Sequence, residues 1–574
     1  MAIVGAVLSG IALARVHPPS AVVVFPSPGT RFNQPRAQIT FRGIAASDLG
    51  RVRVFGSRSG VHAGAVKATS DDNGGSFLPR KPFAPDETVT VATRLNIVGG
   101  RRGVFKFRTG RPASIGPSLV KVNPEGPGGV QNFQSAPDLR PPSVVVTENK
   151  SQATRGDVFV APQYGPEQNG PMIFDSRGHL VWFMPFTSST GTLVTNFRVQ
   201  RLYNQPVLTW WEGQDHYGNG SGVGMIYDRH YQPVEQVRAG NGLAMDFHEF
   251  LVTNGGDAYV TASWPVWVRG YRVPVMDSTV QEVDIKTGLV LFQWDALNHV
   301  SLRGALPPPT SGYYDPFHIN SISVQPNGNL VLSMRSTSAV YDVDRRTGKV
   351  NWSVGGVAST YKVDPSNQTS GQHDALVLHG NELTMFDNGG GPPRARKYSR
   401  GLVLRLDNRR KTAKRIKEYQ HQPPLSSDFE GNMQTLGNGD AFIGWGQQPY
   451  FSEYNRAGKQ IFDAHFPDAT ASYRAYRQSW HASPPLSELR AVISRSSAGD
   501  DSMYVSWNGA TDVVAWRLLS GQTPTSLSPV ATVRSAGFET SIPLDGKMPY
   551  YAVQGLNGSG HVLGTSQAVP TPAG

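Results

Sequence analysis

QEVDIKTGLVLFQW, residues 281–294, reads as a strand, a tight turn carrying Asp284, Thr287 and Gly288, and a second strand. The phrase recurs as MIFDSRGHLVWF (172–183), MIYDRHYQPVEQV (225–237), VYDVDRRTGKVNW (340–352), VLRLDNRRKTAKRI (403–416) and FSEYNRAGKQIF (451–462), each with Asp or Asn at its turn. Successive anchors Asp175, Asp228, Asp284, Asp344, Asp407 and Asn455 lie 53, 56, 60, 63 and 48 residues apart. These spacings are in or a little above the range of a four-stranded propeller blade. Six hairpins therefore predict six blades.

Between these outer hairpins lies a second set: 195–211, 247–263, 317–336, 372–388 and 429–446. They read as the inner strand pairs, nearest an axis, with ring closure mixing the first and last segments of the repeat region. Outside it, residues 20–112 alternate apolar and polar positions between turn signals and predict an Ig-like β-sandwich. A Pro-, Gly- and Ser-rich linker, 113–145, leads into the propeller, 146–483. Residues 484–574 carry further short strands, with Trp507, Trp516 and Tyr551 as expected core aromatics, and predict a fibronectin III-like β-sandwich. The expected class is all-β: a six-bladed β-propeller with a sandwich on either side.

Composition agrees. In 574 residues, 39% of them hydrophobic, 62 glycines and 43 prolines punctuate many short strands rather than long helices. The chain has no cysteine, which excludes disulfides, thiol nucleophiles and cysteine metal sites. The opening MAIVGAVLSGIALARV lacks a basic leader, and residues 1–19 read either as a trimmed or atypical export signal or as a buried first strand. The expected location is secreted or cell-envelope, extracellular or periplasmic. A formal charge of +11 favours anionic partners. Ten of the cations fall between Arg394 and Arg415, which reads as a solvated edge strand; without interleaved aromatics the run does not suggest nucleic acid.

The inner hairpins carry the chemistry. His248 lies 8 residues before its turn glycine Gly256, His318 10 before Gly328, His373 7 before Gly380 and Glu430 9 before Gly439. Corresponding positions in consecutive repeats thus hold His, His, His and Glu at one mouth of the predicted channel. In DPFHINSISVQPNGNLVLSMRS, 315–336, the hairpin folds back near Pro326 and Asn327, which returns Arg335 to His318. Three imidazoles and a guanidinium make a hydrogen-bond-donating cup suited to a tetrahedral oxyanion, sulfate or phosphate. One neutral histidine can attack while another moves a proton. Asn320 either orients the bound group or is a strand-edge side chain in solvent. Trp210, Trp211, Trp264 and Trp445, at inner-hairpin ends, either wall an aryl pocket or pack the core.

HEF at 248, DPFHINS at 315, SMRSTSAVYDVD at 333, WSVGG at 352, GQHDA at 371 and GNMQTLGNGDAFIGWG at 431 resemble the bacterial arylsulfotransferases of the exported, nucleotide-independent (PAPS-independent) type. The resemblance runs through roughly 150–480. It implies a propeller that moves a sulfuryl group from an aryl sulfate to a phenol by a ping-pong mechanism, without cofactor or nucleotide. It further implies that His373 is transiently sulfated, that His248 and His318 donate to the sulfate and act as acid or base, and that Arg335 neutralises its charge; Asn320 and Glu430, from their hairpin positions, are expected to contact substrate. Members of that family carry a cysteine pair; its absence marks a divergent branch. Two other readings stand beside it. Three histidines with Glu430 form a ligand set for iron or zinc, against which a guanidinium beside a dication is costly. An exported propeller can also bind an anion without turning it over.

Overall fold

The computed structural model describes residues 21–115 and 129–572, except 166, 188–190, 217, 303–304, 392–393, 468–469, 496–499 and 546–547. The expected export segment, 1–19, and part of the expected linker, 116–128, lie outside the described residues. The described chain is all-β, its only helical turns being short 3-10 segments such as Pro365–Asn367.

Each outer phrase forms an antiparallel strand pair: Met172–Phe174 with Leu180–Phe183, Gly220–Tyr227 with Pro233–Val237, Val275–Asp284 with Val290–Asp295, Ala339–Val343 with Val350–Gly355, Arg400–Asp407 with Thr412–Tyr419, and Tyr450–Tyr454 with Gln460–His465. One local device builds all six turns. The anchor side chain accepts the backbone N–H two residues on: Arg177 to Asp175, His230 to Asp228, Lys286 to Asp284, Arg346 to Asp344, Arg409 to Asp407 and Ala457 to Asn455, at 2.8–3.1 Å. A left-handed residue completes each turn: glycine at 178, 288, 348 and 458, but Tyr231 and Lys411 in the other two.

Inner hairpins pair with these outer ones. The strand Leu193–Leu202 begins one hairpin stack, Met245–Val252 a second, joined to the first in one nine-stranded sheet by the single pair Gly222–Met245, Ile319–Val324 a third, His373–Leu378 a fourth and Asn432–Thr435 a fifth, these last three in separate sheets. The last inner strand, Ala471–Gln478, pairs not with its sequence neighbours but with Asp157–Gln163, and so leads the sheet built at the start of the repeat region. Contacts between these first strands run from one stack to the next and return from Asn432–Thr435 to Ala471–Gln478, closing a circuit. Val145–Asn149 adds an outer strand to the fifth of these stacks by pairing with Gln460–His465.

Two four-stranded sheets precede this ring and enclose Val24, Ile39, Phe41, Val54, Val89 and Phe105. They rest on the Val275–Asp284 hairpin, where Gln38 and Thr40 donate to the Val290 carbonyl and Phe25 meets Phe292 edge-on at 5.0 Å. Two further sheets follow the ring around Trp507, Trp516 and Tyr551. They are held to it by Asn508 against Phe183 and by the Tyr231 hydroxyl donating to the Gly509 carbonyl.

The basic run departs from a simple solvated edge. Arg400 is 1% exposed and paired with Asp387 and Glu418, because its strand Arg400–Asp407 lies inside its sheet. Arg396 shares Asp387, while Arg409, Arg410 and Lys414 are exposed. Trp210, Trp211 and Trp445 are fully buried packing residues, and Trp264 is 7% exposed.

Candidate functional site

The hairpin Ile319–Val324/Leu330–Met334 does bring its ends together: the Arg335 N–H donates to the His318 carbonyl at 3.0 Å. His318 adopts a left-handed φ of 55°, as do Asn196, Asp374 and Glu430 at the same end of other inner hairpins. Non-glycine residues in that region cost roughly 1–3 kcal/mol each and persist where surrounding packing enforces them. The correspondence between repeats is not complete. His373 sits within its ladder opposite Phe386 and leaves the left-handed position to Asp374, whereas His318 and Glu430 occupy that position themselves.

The three imidazoles nevertheless converge. His248 and His318 meet edge to face with ring centroids 4.5 Å apart, and Tyr473 bridges His248 and His373 with centroid distances of 5.9 and 6.3 Å. They are held by different chemistry. His248 Nδ1 lies 2.5 Å from Asp246 Oδ2, and His318 Nδ1 lies 2.6 Å from Asp315 Oδ2, so each is a carboxylate-backed imidazole whose Nε2 has no hydrogen-bond partner among the described residues. His373 is backed by neutral groups. Asn388 spends its amide N–H bonds on the Ser427 and Glu430 carbonyls, which turns its Oδ1 to His373 Nδ1 at 2.7 Å; the Gly371 carbonyl is 2.9 Å from the same nitrogen. The Glu430 backbone N–H donates to His373 Nε2 at 3.2 Å. These bonds fix the proton on Nδ1 and leave the lone pair on Nε2.

Electrostatics sharpen the difference. Burial holds His373 well below the usual imidazole range; the Asn388 bond partly offsets this, and Arg335, His248 and His318 add to the lowering. Burial also lowers His248, against the pull of Asp246. His373 is therefore neutral at neutral pH and below it. Arg335 is half-buried and remains the site's cation; burial lowers its pKa against Asp315 and Asp428, and its guanidinium donates to the Asp428 carbonyl at 3.4 Å. Glu430, 9% exposed, is pushed up to about 8 by burial and then by Asp215. Its Oε1 meets Gln163 Nε2 at 3.5 Å and its Oε2 has no partner. Asn320 is fully buried: it donates to the Gln372 carbonyl at 2.8 Å, tying neighbouring inner strands, and its Oδ1 is unpartnered. Its place is inside the ring, not in solvent.

Several contributors escape a search for histidines. Asp246 and Asp315 stand two and three residues before His248 and His318, a spacing visible in DFH and DPFH once each histidine is asked what orients it. Asn388, Asp215 and Tyr164 come from elements joined only by the fold. Next to the mouth, Arg474 donates to Glu249 Oε2 at 3.0 Å and to the Asn320 carbonyl at 2.8 Å, while Arg198 donates to Glu249 Oε1 at 2.7 Å. This ion network, with Arg474 and Glu249 buried and Arg198 partly so, fills the axis where the first strands meet.

Among the described residues, no group of three or more His, Asp or Glu side chains is arranged to hold a metal ion. The reason is local: both His373 nitrogens are engaged, and the His248 and His318 rings stand edge to face.

No curated protein matches the chain. Similar solved structures include a protein of unknown function from Bacteroides caccae (13% identity, 56% of this chain and 98% of that one, TM-score 0.37). Another is a streptogramin B lyase (11% identity, 68% and 94%, TM-score 0.31). A virginiamycin B lyase from Staphylococcus aureus is more distant (7% identity, 57% and 84%, TM-score 0.21). These overlaps are too loose to carry inference. The family model described as Arylsulfotransferase (ASST) matches residues 198–467, a span that contains His248, His318, Arg335, His373 and Glu430. Through that span the chain carries an arylsulfotransferase-family domain.

Proposed function

We propose that this protein is an exported aryl sulfotransferase, built as a six-bladed propeller between an Ig-like and a fibronectin-like sandwich, that passes a sulfuryl group from an aryl sulfate to a phenol through sulfated His373. The observation that carries the reading is the contrast in how the imidazoles are held: His373 is backed by the neutral oxygens of Asn388 and Gly371, whereas His248 and His318 are backed by carboxylates that favour their protonated forms, beside one guanidinium. The ring of first strands supports the propeller architecture.

Nε2 of His373 attacks sulfur, the S–O(aryl) bond breaks, and its electron pair leaves on the aryl oxygen. In the second half-reaction the acceptor's oxygen attacks sulfur, the S–N bond breaks, and the electron pair returns to Nε2. Attack requires the 3.2 Å contact from the Glu430 N–H to be released, a cost of about 1 kcal/mol. Arg335 donates to the sulfuryl oxygens, and His248 and His318, whose Nδ1 atoms are held by Asp246 and Asp315, donate to them from Nε2 when protonated. With His373 neutral, the site's fixed cation is Arg335, a match for a singly charged sulfate ester.

Purified protein mixed with a chromogenic aryl sulfate should release one equivalent of phenol in a burst, then turn over when a phenol acceptor is added. His373→Ala should abolish both phases and the covalent sulfuryl mass on the peptide that contains residue 373. A variant that retained the label would move the covalent role to another residue. Wild-type protein that binds aryl sulfate without a burst or transfer would leave a binding site in place of an enzyme.

A further inference from the structure

The proton that the aryl oxygen needs on leaving, and loses on attacking, still requires a carrier. His248 and His318 stand edge to face with each other and are the rings that the proposed reading sets against the sulfuryl oxygens. Glu430 is placed differently. Its own N–H touches the attacking nitrogen at 3.2 Å. Its carboxyl is almost wholly buried, held on one oxygen only by the long contact from Gln163, and its Oε2 has no partner. An unsatisfied buried carboxyl oxygen costs about 1–3 kcal/mol. This carboxyl belongs to the residue whose backbone N–H meets His373 Nε2, and a partner that arrives with the substrate would complete it.

We propose, on the reading of the site as a sulfuryl-transfer centre, that Glu430 is the acid–base catalyst for the aryl oxygen. In the first half-reaction its carboxylic acid gives the proton to the departing aryl oxygen as the S–O bond breaks, which yields a neutral phenol and a Glu430 carboxylate. In the second, that carboxylate takes the proton from the attacking phenol as its oxygen bonds to sulfur and the S–N bond breaks, which restores the acid. Protons and charge balance over the cycle without another reactant. One carboxyl serves both directions, as microscopic reversibility requires of two chemically alike half-reactions.

The surroundings suit the role. Gln163 and Tyr164 lie at the end of the Asp157–Gln163 strand, Asp215 at the end of Gln205–Asp215, Tyr473 on Ala471–Gln478 and His373 at the start of His373–Leu378; Arg335 reaches the Asp428 carbonyl two residues before Glu430. Burial and the Asp215 charge keep Glu430 protonated up to about pH 8. Asp215 is itself raised, by burial, although a backbone bond from Gly218 and the charge of His248 pull the other way. Burial likewise holds the Tyr164 and Tyr473 hydroxyls protonated. The resting enzyme therefore carries a protonated acid on the residue whose backbone N–H meets the neutral nucleophile.

The test is a leaving-group series. Sulfate esters of phenols from low to high pKa are compared for wild type and Glu430→Gln, with 4-nitrophenyl sulfate at one end and 4-methoxyphenyl sulfate at the other. The variant should lose roughly 10²–10⁴-fold in kcat/KM for the poorest leaving group and little for the best, so that the dependence on phenol pKa steepens. Infrared spectroscopy of wild type at pH 7 should show a protonated carboxyl band that titrates near pH 8 and is missing from the variant. An equal loss for every donor, or no loss, overturns the assignment, since a purely structural role would affect all donors alike. Absence of the band at pH 7 overturns it as well. Wild-type protein that transfers no sulfuryl group at any pH, with the band present, would instead overturn the sulfotransferase reading on which the role rests.

Discussion

His248 and Glu249 are adjacent on one inner strand, and their side chains enter two regions that treat buried polarity in opposite ways. Glu249 belongs to the axis, where both of its oxygens are taken by the guanidinium groups of Arg198 and Arg474, so that charge is paired even though the Nε atoms of the two arginines have no hydrogen-bond partner among the described residues. His248 belongs to the mouth, where one nitrogen is fixed by Asp246 and the other is left open. The mouth also holds the unpartnered oxygens of Glu430 and Asn320 and the left-handed residues His318 and Glu430. Paired charge in the axis works as structure; unpaired acceptors together with backbone strain at the mouth suit a place where a ligand completes the set.

The contrast can be broken most forcefully from the axis. Arg474→Ala leaves Glu249 and Asp374 without their shared cation and should cost roughly 3–5 kcal/mol, read as a lower urea midpoint. A loss well under 1 kcal/mol would mean that the axis is not the structural half of the comparison. At the mouth, Arg335→Ala should lower kcat/KM roughly 10²–10³-fold while the urea midpoint moves far less than in the Arg474 variant.

Acidity separates the regions next. Folded His248 and His373 resist protonation because they are buried, whereas unfolded imidazoles take up protons below about pH 6.5. The unfolded state then holds more protons, so stability falls as pH drops through that value, by roughly 1–3 kcal/mol per unit for the two groups together. Denaturation curves at pH 7.5, 6.5 and 5.5 should show this slope, and His373→Gln should reduce it. The smallest effect belongs to the outer turns: Asp344→Ala removes the acceptor for the Arg346 and Thr347 N–H groups and should cost about 1 kcal/mol with sulfuryl transfer unchanged.

The outer turns were legible in the sequence because their physics is local: an Asp or Asn accepts a bond from two residues ahead, and six copies repeat the message. His248, His318, His373 and Glu430 were legible by their distance from a turn glycine, since a hairpin of known length fixes which end a residue occupies. Counting could not show that His373 stands in the ladder while His318 turns left-handed, because a one-residue bulge separates those outcomes. Nor could it find Arg474, which reads as one more basic residue in ASYRAYRQ until the ring closes around it. Arg400 was misjudged for the same reason, as a cation in a basic run is exposed or buried according to which strand lies beside it.

The pairing of Ala471–Gln478 with Asp157–Gln163 has a consequence for biosynthesis. Tyr473, which touches two of the mouth histidines, and Arg474, which fills the axis, are delivered by the last strand of the ring to be synthesised. A nascent chain that has already made every other inner strand still lacks both, together with the partner that pins its first sheet. The mouth and the axis are complete only when the two distant ends of the ring meet, so that, on the proposed reading, a shortened translation product ending before that strand should transfer no sulfuryl group.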